Sequence, residues 1–314
     1  MNQYWSYKLQ RNKLNLMLVR LFQMIPFVWF TEGPAGTYLL TFMAIVTVIC
    51  FTLSFFTNNH SQVDKLWSFL PPTYCLIVLL TSSWQPRVVL MTVLAWTWGI
   101  RLTYNFVRKG GYTWEGEDYR WPVLRKIVNN RFLFEIFDLT FIAIFQNFLL
   151  LFLACPIFYV ASHRAAPLNQ WDFVCTILFL FLFFIEVTAD QQQWNFHAEK
   201  ADKRPSAKDG FLRTGLFKYS RHPNFFAEIC IWWVFYAFTF SVRPFAYINW
   251  TILGTISLTL LINGSTSFTE WISSKKYPKY KEYQTTTSRL IPWFSSSKAN
   301  WTHPFLPYSI KRLE

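Results

Sequence analysis

Seven runs of about 20 predominantly apolar residues divide this chain, and that length matches the hydrocarbon core of a bilayer. They are Thr37–Phe56, Leu66–Trp84, Pro86–Val107, Phe137–Val160, Trp171–Ala189, Phe225–Val242 and Ala246–Thr266. Between Phe173 and Ile185 only Thr176 is polar. The second run is the weakest, because Pro71 and Pro72 interrupt it. Buried helices of a soluble protein would need a polar partner layer, which this sequence does not supply. The expected fold class is therefore all-α: a polytopic membrane helix bundle with about seven transmembrane helices.

Composition narrows the alternatives. A share of 21% aromatic against 15% charged residues excludes a disordered chain, and 5 Cys in 314 residues exclude a disulfide scaffold. The five cysteines all fall in apolar runs without a Cys-x-x-Cys pair, and no two of the five histidines stand at i, i+4, so no metal site is expected. The net charge of +13 is best read by side. Segments on one side of the runs carry seven Lys/Arg and those on the other carry 22, with Arg101 inside a run. The positive-inside rule puts the richer side in the cytosol. The charge is then mostly topology, and the expected partners are the lipid bilayer and a small lipid-like substrate, not nucleic acid.

Residues 1–36 are read as an N-terminal interfacial segment, although Leu14–Phe30 is apolar enough that a further crossing is the alternative. No cleavable signal peptide pattern is present. Residues 37–294 form the membrane domain and 295–314 a cytosolic tail. The tail carries Lys311-Arg312, a dibasic pattern like an endoplasmic-reticulum retrieval signal, so the expected location is the endoplasmic reticulum membrane with a cytosolic C-terminus.

Three cytosolic segments hold most of the polar chemistry. The first contains Gly110-Gly111-Tyr112 and Glu117-Asp118-Tyr119-Arg120-Trp121. The second starts at Asp190-Gln191-Gln192 and runs to Gly215-Leu216-Phe217-Lys218-Tyr219-Ser220-Arg221-His222-Pro223-Asn224. Basic side chains beside Gly, Tyr and Asn suit an anionic aromatic ligand, since Arg pairs with phosphate and rings stack on a base. Asn224 is expected to cap the sixth helix. The third segment reads Lys276-Tyr277-Pro278-Lys279-Tyr280 and continues to Arg289. Glu186, Glu228 and Arg101 are ionisable residues inside apolar runs, which marks them as functional candidates.

With Val63-Asp64-Lys65-Leu66-Trp67-Ser68, Trp98-Gly99-Ile100-Arg101 and the Arg-His-Pro-Asn block through Glu228, these segments resemble the DUF1295 membrane family, related to the C-terminal domain of steroid 5-alpha-reductases. The resemblance runs from about residue 60 to 294. It implies a seven-helix bundle with an NADPH site built by the later helices. The implied chemistry is hydride transfer to an electron-poor C=C of a lipid or sterol-like substrate, completed by an acid. It assigns cofactor binding to Asp190, Tyr219, Asn224 and Glu228, to Arg221 and His222 in the same block, and more loosely to Arg204, Tyr280 and Arg289. The steroid reductases place a catalytic Glu and Tyr near their first spans. The corresponding neighbourhoods here offer Asp64, Arg101 and Tyr104 as catalytic candidates. Two other functions fit the same residues: an S-adenosylmethionine-dependent methyltransferase of the isoprenylcysteine or phospholipid type, and a non-enzymatic lipid-binding membrane protein.

Overall fold

The structure, a computed structural model, describes residues 34–163, 166–242 and 247–295. The expected interfacial segment, up to residue 33, and the tail from 296, with its Lys311-Arg312 pair, lie outside these residues. The described residues contain helices and no strand, and the chain is an all-α membrane helix bundle. Among the described residues five helices are long and apolar enough to cross a membrane: α1 (Pro34–Thr57), the continuous helix Arg131–Ala161, α8 (Gln170–Ala201), the helix from Pro223 to Ser241, and α10 (Ile252–Lys276). Large apolar side chains stay exposed along α1 and α8, among them Ile45, Val48, Phe56, Phe173, Phe181 and Phe184. Such stripes are costly in water but suit contact with lipid tails.

Two expected spans look different in detail. In place of one run over Leu66–Trp84 the chain forms α2 (Gln62–Leu66) and α3 (Leu70–Thr81), a helix of 12 residues. Pro71 and Pro72 do not interrupt α3; they stand in its first turn, where a missing N–H costs nothing and the fixed φ favours the helix. The third run becomes α4 (Pro86–Arg108), again with proline at its start. It is long enough to span, but Arg87, Arg101 and Arg108 lower its hydrophobicity. Two short helices follow, α5 (Arg120–Val128) and α6 (Arg131–Phe137), then a π-helical stretch at Asp138–Phe145 that leads into α7 (Gln146–Ala161).

The chain falls into two compact units. The first comprises the described residues to Ile177 with Trp232–Leu258, and the second Leu178–Ile231 with the described residues from Thr259 onward. In the first unit α3, α4 and α7 pack together, and α1 and the π-helical stretch pack against this group. Gly254 lets α10 approach α7 closely: a Cβ there would lie 2.4 Å from the Phe152 carbonyl oxygen. Trp98 is fully buried and meets Trp232 edge-on at 5.0 Å.

At one end of the first unit, Arg87 and Asp172 form a buried two-point ion pair. Arg87 Nε donates to Asp172 Oδ1 at 2.7 Å and Nη2 to Oδ2 at 2.8 Å, with both side chains 1% exposed. Ser241 Oγ donates to Asp172 at 2.7 Å, and Arg87 Nη2 also reaches the Pro167 carbonyl at 3.0 Å. The start of α4, the start of α8 and the Phe238–Ser241 turn are thus tied at one carboxylate. Removing one partner of a buried pair strands the other. Asp172→Ala is therefore expected to cost about 3–5 kcal/mol, while the double change Arg87→Met/Asp172→Leu recovers most of it. Thermal unfolding of the purified protein in detergent measures both.

Candidate functional site

The second unit collects its polar residues around one carboxylate. The 3₁₀ turn Gly215–Lys218 precedes α9 (Pro223–Ala237), and α11 (Tyr280–Thr286) follows α10. Arg221, 5% exposed, grips Glu270 of α10 at two points, Nε to Oε1 at 2.6 Å and Nη2 to Oε2 at 3.0 Å. Its Nη1 donates to the carbonyls of Gln284, at 2.9 Å, and Thr287. His222 Nε2 lies 3.0 Å from Glu270 Oε1, and Gln284 Nε2 donates to Oε2 at 3.1 Å. One glutamate thus receives three side chains from two chain-distant segments. The backbone closes the same joint: the Arg221 N–H donates to Ser288 O at 2.8 Å, and Ser220 Oγ to Leu290 O at 2.7 Å.

Burial penalises the imidazolium of His222 and moves its pKa below the ordinary histidine value, although Glu270 acts in the opposite direction. The ring is then neutral at pH 7 and donates Nε2–H to the carboxylate. Phe225 stacks on it at 5.4 Å with the planes 10° apart.

The helix α8 extends beyond the expected end at Ala189 and carries Asp190-Gln191-Gln192 as helix, not loop. Its exposed face gives way to polar contacts there. Asn224 Nδ2 donates to Asp190 Oδ1 at 3.2 Å. Asn224 was expected to cap its helix, but it lies within the first turn of α9, and its side chain binds across to α8 instead. Gln192 Oε1 accepts the Leu216 N–H at 2.9 Å, and Gly215, at φ +61°, keeps clear the space that a Cβ would take 2.5 Å from that oxygen. Lys200 Nζ donates to Tyr277 Oη at 2.7 Å and Gly210 O at 3.0 Å. Burial alone would raise the Tyr277 pKa, but the Lys200 and Lys276 ammonium groups together outweigh it and hold the phenol below its usual range.

All nine expected cofactor-binding residues belong to this unit. Asp190 joins Asn224, and Arg221 joins His222 through Glu270. Arg289 donates to Asn263 O and, at 2.8 Å, to Ser267 Oγ on α10. Glu228 is buried one turn after Asn224, and Tyr280 is buried with its ring edge-on to Phe211 at 5.1 Å. Tyr219 is exposed beside Phe294. Arg204 stands apart on the surface, 3.4 Å from Asp202. Glu270 and Gln284, the centre of the cluster, were not among the expected residues. Glu270 stands just past the apolar run ending at Thr266, so the sign that picked out Glu228, an ionisable residue inside such a run, did not reach it.

The three catalytic candidates belong to the first unit. Asp64 Oδ2 accepts Trp121 Nε1–H at 2.8 Å. Burial pushes its carboxyl pKa up against the pull of Arg120. Arg101 is half-buried on α4, and the exposed Tyr104 ring lies under the Arg108 guanidinium at 5.4 Å. Ser68 Oγ and Thr103 Oγ1, 2.7 Å apart, connect their two neighbourhoods. Asp64 and Tyr104 nevertheless engage different partners.

With these features in place the chain can be assigned to a family. A family model described as a protein of unknown function, DUF1295, matches residues 50–287, so the chain belongs to the DUF1295 family. It is also 36% identical over 310 residues to an uncharacterized protein of Schizosaccharomyces pombe, covering 93% of this chain and 89% of that one. No solved structure matches the chain.

The neutral, buried His222 carries a pH dependence. Unfolding lets it take a proton that the folded site disfavours, so its contribution to stability is lost as pH falls below about 6.5. The melting temperature should drop between pH 7.5 and pH 5.5, and His222→Gln should show a smaller drop over the same interval, read by detergent-compatible thermal unfolding.

Proposed function

We propose that this protein is an integral membrane oxidoreductase that reduces a C=C bond of a lipid or sterol-like substrate with NADPH, the second unit holding the cofactor. The observation that carries this reading is the Asp190–Asn224 hydrogen bond, which joins two blocks 34 residues apart that were picked out for the same cofactor. The lipid-facing helices supply a route by which an apolar substrate reaches the protein through the bilayer. The Lys/Arg excess on one side supports a cytosolic position for the 190–224 and 270–295 segments.

The donor set suits the anionic end of a dinucleotide. Arg213 and Lys218 line a cleft of about 280 Å³ with Glu282, Tyr283, Thr286, Thr287 and Ser295. The two cations and the hydroxyls of Thr286, Thr287 and Ser295 are apt partners for phosphate oxygens, while the Tyr283 hydroxyl already donates to Phe217 O. The volume lies just under the roughly 300–1,000 Å³ of sites that enclose a whole small molecule, so the cleft suits one end of the cofactor. Arg221 has a different part in this scheme. Each of its guanidinium nitrogens already donates to protein oxygen, so with Glu270 it sets the spacing between the 215–228 block and α10–α11.

When bound, the reduced nicotinamide supplies a hydride. The protein's own tasks are to orient the reacting carbon, exclude water and deliver a proton. In the first unit, burial favours the protonated form of the Asp64 carboxyl.

NADPH in large excess over its dissociation constant should raise the melting temperature, since about 2.7 kcal/mol of stabilisation accompanies a hundredfold excess. Arg213→Ala and Lys218→Ala should each reduce that shift while leaving the melting temperature without ligand nearly unchanged. A shift with S-adenosylmethionine and none with NADPH would overturn the reading in favour of methyl transfer.

A further inference from the structure

Trp114 is the most exposed large apolar side chain among the described residues, at 82%, yet its backbone is firmly held. The Asn59 amide donates to Trp114 O at 3.2 Å and to Gly116 O at 3.1 Å. Thr113 Oγ1 donates to Gly110 O at 2.8 Å, and the Gly116 N–H closes a turn on Thr113 O at 3.0 Å. Just beyond, the His60 N–H donates to Glu117 at 3.0 Å and the Asp118 N–H to Ser61 Oγ at 2.8 Å. A loop pinned in this way presents its tryptophan ring outward at a fixed place.

The same contacts set the height of the loop against the spanning helices. Asn59 stands two residues past the end of α1, and Phe56, 77% exposed, belongs to the last turn of the lipid-facing stripe of α1. Arg125 of α5 donates to Asn58 O at 2.9 Å while it grips Glu117 at two points. After α5 the left-handed Asn129 and the N-cap Asn130 turn the chain into the continuous helix Arg131–Ala161. The first turns of that helix expose Phe132, Leu133 and Ile136. The Trp114 loop therefore lies beside the ends of two apolar spans, and the apolar surface continues past them through the exposed Ile127 of α5.

The exposed charge on these segments is mostly positive. Lys109, Lys126 and Arg131 are exposed, and Arg131 stands 3.8 Å from Glu135 one turn further on. Arg125 and Arg120 engage Glu117 and Asp118 at two points each, and among the acids of residues 109–136 only Glu115 is exposed. A single exposed aromatic is ordinary on a water-soluble surface. An indole held level with the ends of lipid-facing helices, with cations on the same short segments, matches the headgroup layer instead. There the ring meets both apolar and polar neighbours, and each Lys or Arg gains from anionic lipid.

We propose that residues 109–136 form a docking surface for anionic phospholipid headgroups, with Trp114 seated among the headgroups and Lys109, Lys126 and Arg131 facing their phosphates. The loop then sets the depth at which the first unit sits in the bilayer. This surface is independent of the NADPH reading.

Fluorescence quenching tests it on the full chain in liposomes. Glu115→Cys carries an environment-sensitive NBD label beside the intact Trp114, and the wild-type chain, whose five cysteines are buried or half-buried, sets the background. Lipid spin-labelled at the headgroup should quench the label more than lipid spin-labelled deep in the acyl chain, and iodide in the buffer should not reach it. Headgroup-labelled phosphatidylserine should act at about fivefold lower mole fraction than headgroup-labelled phosphatidylcholine. In the Glu115→Cys background, Lys109→Gln/Lys126→Gln/Arg131→Gln should remove that preference and Trp114→Ser should open the label to iodide. These side chains are exposed, so the melting temperature of each variant should stay unchanged. Free quenching by iodide with none by lipid would place the loop in water and overturn the proposal. Protection from iodide without lipid quenching would mean that a second copy of the chain covers the loop, and overturns it too. Equal quenching by the two lipids, a preference kept in the triple variant, or iodide exclusion kept in Trp114→Ser also overturns it.

Discussion

A charge carried into a lipid-embedded helix bundle must meet an opposite charge or a donor there, because no water is at hand to solvate it. The buried charges with defined partners follow this constraint in pairs. Arg87 meets Asp172 and Arg221 meets Glu270, and the His60 ring lies against the Asp138 carboxylate. Each joins segments remote in sequence, so each pair also fixes where its helices stand. Buried pairs contribute modest net stability compared with apolar packing, but breaking one is expensive. They therefore act chiefly as locators, and the aromatic and aliphatic side chains between them supply most of the favourable burial.

The Glu270 joint shows how a locator shapes a site. Arg221 and His222 look from sequence like ligand-binding residues, a basic pair beside Pro and Asn. In the fold they turn inward to one carboxylate, and the cations that line the accessible cleft are Arg213 and Lys218. The block retains its importance through position: it holds the 3₁₀ turn at Gly215–Lys218 and the start of α9 against the backbone from Gln284 to Leu290.

Much of this arrangement was legible in the chain because bilayer thickness imposes a length on apolar runs. The long runs at 37–56, 137–160, 171–189, 225–242 and 246–266 all correspond to long helices. The run at 66–84 misled, since proline was read as a break where it begins a helix. The end of α8 was also hidden: polarity rises at Asp190, but Gln, Trp, Glu and Lys are adequate helix formers and the helix simply continues. The Asp190–Asn224 pairing follows blocks that stood out by composition. Glu270 and the His60–Asp138 pair did not stand out, because a lone acidic or imidazole side chain carries no mark of a partner dozens of residues away. Asp138 did share one visible trait with Glu186 and Glu228, an ionisable group inside an apolar run.

The unbroken course of α8 has a consequence for how this chain can vary. Its 32 residues span about 48 Å, well beyond a hydrocarbon core of about 30 Å. Phe181 and Phe184 toward the lipid and Asp190 and Gln192 toward their partners share one rigid axis, so their directions are locked by helical phase. A loop can gain or lose residues and merely change its slack. One residue added between Phe184 and Asp190 would swing every later side chain by about 100°, so insertions and deletions are tolerable in the connections and forbidden along this rod.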